Sequence, residues 1–264
     1  MILFTGSGAL ANACSQVFEV VTTSLRSISD EKLRDLLCNC DVVMHNSAAI
    51  QSDSLAKYVE SNFMLTKRLV DVVCSVNPNV MLINIGSISY LQRDNVYDAV
   101  NNMSNYAYSK FLGETYLLKS PLKNVCSVRF STVFYKNAAR DGLSKLGYDA
   151  VKSNEIKLIN QGCAKRDFIP IDVVAAYLSK LADCYNLPKT INIASGKSFS
   201  FKHFSNIIQQ VFPSTTIVNS ANPHSEVLHQ FDVEPLRQIG IVDFDITSEF
   251  EKYLHQVDED ADLQ

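Results

Sequence analysis

The sequence predicts an α/β fold, a doubly wound parallel sheet with helices on both faces, and a smaller C-terminal lobe. Three observations carry that expectation. Short apolar runs alternate with helix-like patterns from residue 1 to about 135. The runs are nearly continuous in Val, Ile, Leu and Phe, as strands buried on both faces are. The first run ends in Gly6-Ser7-Gly8, which leads straight into a helical pattern.

Taken in order, Met1–Thr5 is an apolar strand run that the two glycines end, and Ala9–Val17 suits a short helix. Glu19–Thr23 is a second β-branched run. Ser29 stands before Asp30, Glu31 and Lys32 at the start of a helix that reaches about Leu37. A serine oxygen can take an orphan amide of the first turn, and acidic residues there suit the helix dipole. Asp41–His45 is a third strand. Leu55, Tyr58, Val59, Phe63, Leu65, Leu69, Val72 and Val73 recur at helical spacing over Ser52–Cys74. Val80–Gly86 is a strand, Tyr106–Leu118 a helix and Val125–Phe134 a strand.

After Tyr135 the rhythm changes. Asn137–Asn160 is polar and mixed, Arg166–Leu181 joins a strand-like start to a strong helix, and Thr190–Ala194 is one more strand. Phe201–Val211 is amphipathic, and Val257–Gln264 reads as a loose acidic tail. Residues 137–165 and 213–230 show no decodable pattern.

Composition excludes several classes of function. The 264 residues are 47% hydrophobic and 20% charged, an ordinary globular mix, and Gly 9 with Pro 7 is too little for a collagen-like or disordered chain. A net charge of −4 argues against a surface built for phosphate backbones, so no nucleic-acid partner is expected. The cysteines, at 14, 38, 40, 74, 126, 163 and 184, are odd in number and sit mostly in apolar runs. They read as buried thiols in a reducing compartment. Cys38-Asn39-Cys40 has no second pair or histidine at zinc-like spacing, so no metal is expected. The first strand starts at Met1, and no apolar run approaches the roughly 18–20 residues of a membrane span. A cytoplasmic protein without signal peptide or membrane segment is the expectation.

Three motifs carry chemistry. Gly6-Ser7-Gly8-Ala9-Leu10-Ala11 fits G-x-G-x-x-A between a strand and a helix, where backbone amides can approach a pyrophosphate. The plain alternative is a tight turn that needs glycine anyway. Tyr106-Ala-Tyr-Ser-Lys110 places Tyr106 and Lys110 on one helix face, and an ammonium lowers a phenol's pKa. Such a pair is also common on a solvated helix face. Ile83-Asn-Ile-Gly86-Ser87-Ile-Ser89 is a buried strand ending in hydroxyl residues, which suits either a presented catalytic hydroxyl or a serine-rich turn.

In combination these motifs resemble the extended, nucleotide-sugar branch of the short-chain dehydrogenase/reductase superfamily, the NAD-dependent epimerase/dehydratase family, on a Rossmann sheet. Further segments look like that branch's landmarks: Asp41-Val-Val-Met-His-Asn-Ser47-Ala48-Ala49, Asn62 with Thr66, Val128-Arg129, Lys165-Arg166-Asp167-Phe168-Ile-Pro-Ile-Asp172, Asn192-Ile-Ala-Ser-Gly196, and Phe231-Asp-Val with Ile239-Gly240. The resemblance spans residues 1 to about 250. It implies Tyr106 as the proton donor or acceptor. Lys110 would lower its pKa and hold the nicotinamide ribose, and Ser87 would polarise the substrate oxygen. Gly86 would approach the nicotinamide, and Arg166 would meet the substrate's diphosphate. Gly6, Ser7, Gly8, Ala9, Leu10, Ser24, Arg26, Ser47, Ala48 and Asn62 complete the cofactor set, and Ser89 and Thr132 the substrate set. The implied division is a dinucleotide-binding domain over 1–135 to which 167–195 returns, and a substrate lobe over 136–166 and 196–256. Residues 257–264 form the tail. Homodimerisation through the helices bearing Asn62 and Tyr106 is the family's habit.

The sequence also departs from that family. The glycine loop lacks one residue and ends in Ala11, and the helix after it is short. Only one helix fits between Thr23 and Asp41, so the usual third strand is lost. Thr132 replaces a common Asn, and Pro170 the usual His. Ser87 is followed by Ile88 and Ser89, not by the Asp-Glu pair of 4,6-dehydratases. The second strand's end offers Ser24, Arg26 and Ser27 and no acid, which favours NADP(H) and leaves NAD(H) possible. The expected activity is NADPH-dependent reduction of the 4-keto group of a nucleotide-linked 6-deoxy sugar. The alternatives are an NAD-dependent nucleotide-sugar 4-epimerase and, from another class, a non-catalytic nucleotide sensor.

Overall fold

The computed structural model describes residues 1–46, 48–52, 54–93, 96–136, 142–221, 231–241 and 243–262. The chain opens with β1 (Ile2–Thr5), α1 (Ala9–Val17), β2 (Val21–Thr23), α2 (Asp30–Cys38) and β3 (Val42–His45). Next come α3 (Leu55–Tyr58), a π-helical turn (Val59–Met64), α4 (Leu65–Val76) and β4 (Met81–Ser87). A hairpin of β5 (Leu91–Arg93) and β6 (Val96–Tyr97) precedes α5 (Asn105–Leu118), β7 (Val125–Phe130) and β8 (Thr132–Phe134). Then follow α6 (Gly142–Ser153), β9 (Glu155–Ile159), β10 (Lys165–Arg166), β11 (Phe168–Pro170), α7 (Ile171–Ala182) and β12 (Thr190–Ile193). The last elements are β13 (Phe199–Ser200), α8 (Phe201–Val211), β14 (Thr216–Ser220), α9 (Glu234–Gln238) and α10 (Ile246–Asp262).

Two compact units share the chain. The first comprises Met1–Phe130, Val174–Ile193 and Glu234–Ile241. Its six-stranded sheet runs β12-β7-β4-β3-β1-β2 with every pair parallel. The α/β sheet predicted from the alternating runs is the one observed. Parallel strands need crossover helices that cover both faces, and this is why β3 and β7 are buried at every residue. Strand order reverses beside β1, whose two neighbours are β2 and β3, and that reversal is where doubly wound sheets open a ligand crevice. The sheet ends at β2, with no third strand outside it among the described residues. Ser29 caps α2 as expected, its side chain accepting from the Lys32 amide. Leu33 and Leu37 of that helix pack with Leu3 and Val43 in the core, each burial contributing about 1.5–3 kcal/mol.

Two elements of this unit depart from expectation. The helix predicted over Ser52–Cys74 is interrupted by the π-helical turn, the turn that carries the buried Asn62. The strand predicted over Val125–Phe134 breaks at Ser131, because β7 pairs in the large sheet while β8 pairs with β11 in the second unit.

That second unit comprises Ser131–Val173, Ala194–Val233 and Val242–Gln264. Its core gathers Phe134, Leu146, Ile156, Phe204, Phe250 and Leu254 beneath the parallel pair β9–β14. Phe250 meets Phe204 edge-on with centroids 4.9 Å apart, and Tyr253 Oη donates to the Ser144 carbonyl at 2.6 Å. Two expectations are corrected here. The polar stretch 137–160 holds α6 and β9, with Leu143, Leu146 and Ala150 forming the buried stripe of α6. The acidic tail is helical as far as Asp262, and Val257 is buried, because Phe250, Tyr253, Leu254 and Val257 line one face of α10; the tail's last two residues lie outside the described residues.

The seven cysteines are free thiols, but only Cys14, Cys40 and Cys126 are buried, and Cys38 and Cys163 are exposed. Burial pushes the Cys14 and Cys126 thiols up to about 12 and the Cys40 thiol up to about 11. Among the described residues no helix is long and apolar enough to cross a membrane. Phe250→Ala is expected to cost about 3–5 kcal/mol, since it removes the ring at the centre of the aromatic cluster. Urea unfolding monitored by circular dichroism measures it.

Candidate active site

The glycine turn leaves a helix start open. Gly8 caps α1 without a side-chain hydrogen bond, and the first turn of α1 holds no acidic residue. The helical ladder begins at Asn12 N, which donates to the Gly8 carbonyl at 3.1 Å, so the amides of Ala9, Leu10 and Ala11 have no intrahelical acceptor. The two glycines serve different ends. A Cβ on Gly6 would lie 2.9 Å from the Asn46 carbonyl oxygen, whereas one on Gly8 would meet nothing within 4 Å. Packing accounts for Gly6. Gly8 and the exposed Ser7 leave free space before a positive helix terminus, the cradle a pyrophosphate needs.

The turn after β2 brings Ser24, Arg26 and Ser27 to the strand's carboxyl end. Leu25 is fully buried and anchors the turn, while Arg26 is exposed. Of the segment after β3, Ser47 lies outside the described residues, and Ala48 is half-buried. Asn62, expected to hold the cofactor, has another task. Its Oδ1 accepts from the Ala49 amide at 2.6 Å, and its Nδ2 donates to the Ala49 carbonyl at 3.1 Å and to Ser109 Oγ at 3.0 Å. Both amide hydrogens are engaged, so Asn62 ties the post-β3 segment to α5.

The tie continues inward. Thr66 Oγ1 donates to the Asn62 carbonyl at 2.8 Å, and His45 bridges Thr66 Oγ1 (2.9 Å) and Thr5 Oγ1 (2.6 Å). Because the Thr66 hydrogen is spent on Asn62, His45 Nε2 carries the ring proton and Nδ1 accepts from Thr5. Burial pushes the imidazole down to about 3, and the Lys110 charge acts in the same direction. The folded state therefore binds fewer protons than the unfolded one as pH falls from about 6.5 towards 3, and stability is lost across that window. His45 ring resonances should show no titration between pH 8 and pH 5 in NMR spectra.

Tyr106, Lys110 and Ser87 converge at the end of β4. Ser104 caps α5 by accepting from the Ala107 amide, which places Tyr106 in the first turn and Lys110 one turn on. Ser87 Oγ donates to Ser89 Oγ at 2.9 Å and accepts from the Ser89 amide at 3.1 Å. Burial holds the Tyr106 phenol above its usual value, with the Ser87 side chain acting the other way. Lys110 was expected to lower that pKa, and it is not among the groups that act on it. Its Nζ donates instead to the Ile85 carbonyl at 2.5 Å. Burial brings the Lys110 ammonium down to about 8, opposed by Glu114.

Behind this trio lies a polar group of which sequence reasoning names only Arg129. Glu114 and Arg129 are buried together: Nε donates to Oε2 at 2.9 Å and Nη2 to Oε1 at 2.6 Å. Tyr90 and Tyr97 donate their hydroxyls to the same carboxylate at 2.7 and 2.8 Å. Tyr90 Oη also accepts from the Ser87 amide at 3.3 Å, so the cluster reaches the end of β4. At Gly86 a Cβ would sit 2.7 Å from Tyr90 Oη, and this contact is what requires glycine there. The signals were present in the sequence: a carboxylate four residues after Lys110, and an arginine inside an otherwise apolar strand. Glu114→Ala should cost about 3–5 kcal/mol by leaving the Arg129 charge buried and unpaired. Replacing Lys67, whose ion pair with Asp71 faces solvent, by Ala should leave the melts close to wild type. Parallel thermal and denaturant melts compare the two.

Thr132 and Arg166 belong to the second unit. Thr132 pairs with Phe168 across β8 and β11, and its amide donates to the Asp167 carbonyl at 3.2 Å. Arg166 pairs with Phe199, its guanidinium 6.0 Å from the Phe201 ring centre, and its Nε is buried without a hydrogen-bond partner among the described residues. Asp167 is fully buried, accepts from the Ser195 amide at 2.8 Å, and burial raises its carboxyl to about 6.

The model of the NAD dependent epimerase/dehydratase family matches residues 8–194. The chain belongs to that family. Solved structures agree on the fold at low identity. The NAD-dependent NDP-hexosamine 5,6-dehydratase TunA of tunicamycin biosynthesis has TM-score 0.80 at 20% identity, covering 100% of this chain and 98% of that one. RMD from Pseudomonas aeruginosa, complexed with NADPH, has TM-score 0.83 at 13% identity over 98% of this chain and 99% of its own. The UDP-N-acetylglucosamine 4-epimerase from Methanobrevibacter ruminantium M1, in complex with UDP-N-acetylmuramic acid, has TM-score 0.80 at 18% identity, with 98% and 96% covered. Among curated proteins, no sequence matches this family member.

Proposed function

We propose that this family member is an NAD(P)-dependent oxidoreductase of a nucleotide-diphosphate sugar, and that it reduces the 4-keto group of a 6-deoxy sugar at the expense of NADPH. The observation that carries the reading is the convergence of Ser87, at the carboxyl end of β4, with the half-buried Tyr106 in the first turn of α5 and Lys110 one turn further along that helix. The open turn at Ser7, Gly8, Ala9 and Leu10 would receive the cofactor's pyrophosphate, and Arg26 with Ser24 its adenosine end. Bound NADPH supplies hydride to the carbonyl carbon.

The chain's own residues supply the rest. Ser87 donates a hydrogen bond to the carbonyl oxygen, and Tyr106 delivers the proton that turns the developing alkoxide into an alcohol. A phenol held above its ordinary pKa is protonated at neutral pH, the state a reductase needs at the start of its cycle. The Lys110 ammonium, kept cationic by Glu114, would hold the nicotinamide ribose. In the second unit, the unpartnered Nε of Arg166 suits a diphosphate oxygen, and Thr132 would add a hydroxyl. That unit is the proposed substrate lobe. A homodimer through the helices bearing Asn62 and Tyr106 belongs to the same reading, and Leu55 and Met64 are exposed there.

An NAD-dependent 4-epimerase is the second reading. It is favoured by the fold match to a UDP-N-acetylglucosamine 4-epimerase, and the Ser-Tyr-Lys set serves it equally. Absorbance assays with NADPH against a panel of nucleotide 4-keto sugars decide between the two. The expected result is one NADPH consumed per product, with Tyr106→Phe slowing turnover by about 10²–10⁴-fold and leaving the NADPH Kd within about twofold. Tight NAD binding with sugar interconversion and no net change in cofactor would move the assignment to the epimerase.

A further inference from the structure

The turn at the end of β2 is held by a residue from a different helix. Arg68, on α4, directs four N–H groups at it: Nη1 donates to the Leu25 carbonyl at 2.5 Å, Nη2 to the Ile28 carbonyl at 2.8 Å, and Nε (2.8 Å) and Nη2 to Asp30 Oδ1. Local bonds alone would hold the turn loosely, since Ser27 and Ile28 both donate to the single Ser24 carbonyl. A guanidinium is a rigid planar fork, so one side chain fixes the backbone on both sides of Arg26 at once. Asp30 in the first turn of α2 adds a solvent-facing ion pair to the fork. The Arg26 side chain is thereby left exposed on a turn whose backbone cannot drift.

We propose that Arg68 is a positioning residue for cofactor selection: it pre-organises the Ser24–Ile28 turn so that Arg26 and its flanking serines meet a 2′-phosphate without first being ordered. Ordering a loop at the moment of binding subtracts from affinity, and a preformed turn avoids that loss. The effect falls on the 2′-phosphate, because Arg26 is the cation the clamp presents, and a dinucleotide lacking that phosphate gains little from it. The inference rests on the reading of this turn as the adenosine end of the cofactor site.

The test is calorimetric titration of the full-length protein with NADPH and with NADH, using wild type, Arg68→Met, Arg68→Lys and Asp30→Ala. Arg68→Met is expected to weaken NADPH about tenfold and NADH less than about threefold, collapsing the ratio of the two Kd values. Arg68→Lys keeps a cation beside Asp30 yet cannot bridge two carbonyls, so it should fold and still lose about fivefold or more of that ratio. Asp30→Ala leaves both carbonyl bonds in place and should hold the ratio within about twofold. A merely structural role would lower the melting temperature and leave the ratio alone. Wild type binding both dinucleotides alike would overturn the 2′-phosphate reading and this proposal together. Wild type preferring NADPH while folded Arg68→Met or Arg68→Lys keeps that preference would overturn the proposal alone.

Discussion

A carboxylate and a guanidinium share the dry interior of the first unit, and the candidate active site is arranged around their pairing. Glu114 is fully buried and Arg129 nearly so. Isolated, either charge would cost several kcal/mol there. Together, with Tyr90 and Tyr97 filling the carboxylate's remaining lone pairs, they form a satisfied group that joins β7, α5 and the β5–β6 hairpin. Tyr90 passes that order to the Ser87 amide. Glu114 also acts on Lys110, countering the burial that would discharge it. Ser87 and Lys110 thus take position and charge from the same pair.

A second polar chain does comparable work on the other side of α5. Thr5, His45, Thr66, Asn62 and Ser109 link the ends of β1 and β3 to the helix that carries Tyr106, and the Ser109 hydroxyl donates to the Tyr106 carbonyl at 2.7 Å. Apolar packing alone would let α5 slide along the sheet by fractions of an ångström. A run of directional bonds restricts that freedom, and the helix start is where catalysis needs it least.

The parallel sheet was legible because strands buried on both faces must be apolar throughout, as in Ile2–Thr5, Val42–His45 and Val125–Phe130. Caps were legible too: Ser29 before an acidic first turn marked α2 to the residue. The trio of Ser87, Tyr106 and Lys110 could be placed because strand end and helix spacing are local properties. What escaped was long-range. Asn62 entered the cofactor set through the family resemblance, and only folding shows that its side chain bonds the Ala49 backbone. Lys110 was matched to Tyr106 by spacing, but spacing does not reveal that the Ile85 carbonyl holds its ammonium. Residues 137–160 read as irregular because glycine and charged residues dilute the stripe of α6, whose apolar partners arrive about a hundred residues later.

The last of those partners has a consequence for biosynthesis. The second unit is drawn from three separated stretches of chain, and its core closes only when Phe250, Tyr253 and Leu254 of α10 arrive. On the ribosome, Phe134, Leu146 and Phe204 emerge well before α10 and must wait with apolar surface uncovered. At ordinary translation rates of about 5–20 residues per second, that interval lasts several seconds. The sheet of the first unit is also incomplete until β12 has been made. Nascent chains of this protein therefore have reason to engage a chaperone that shields aromatic surface, and stalled synthesis short of α10 should yield aggregation-prone fragments rather than a smaller working enzyme.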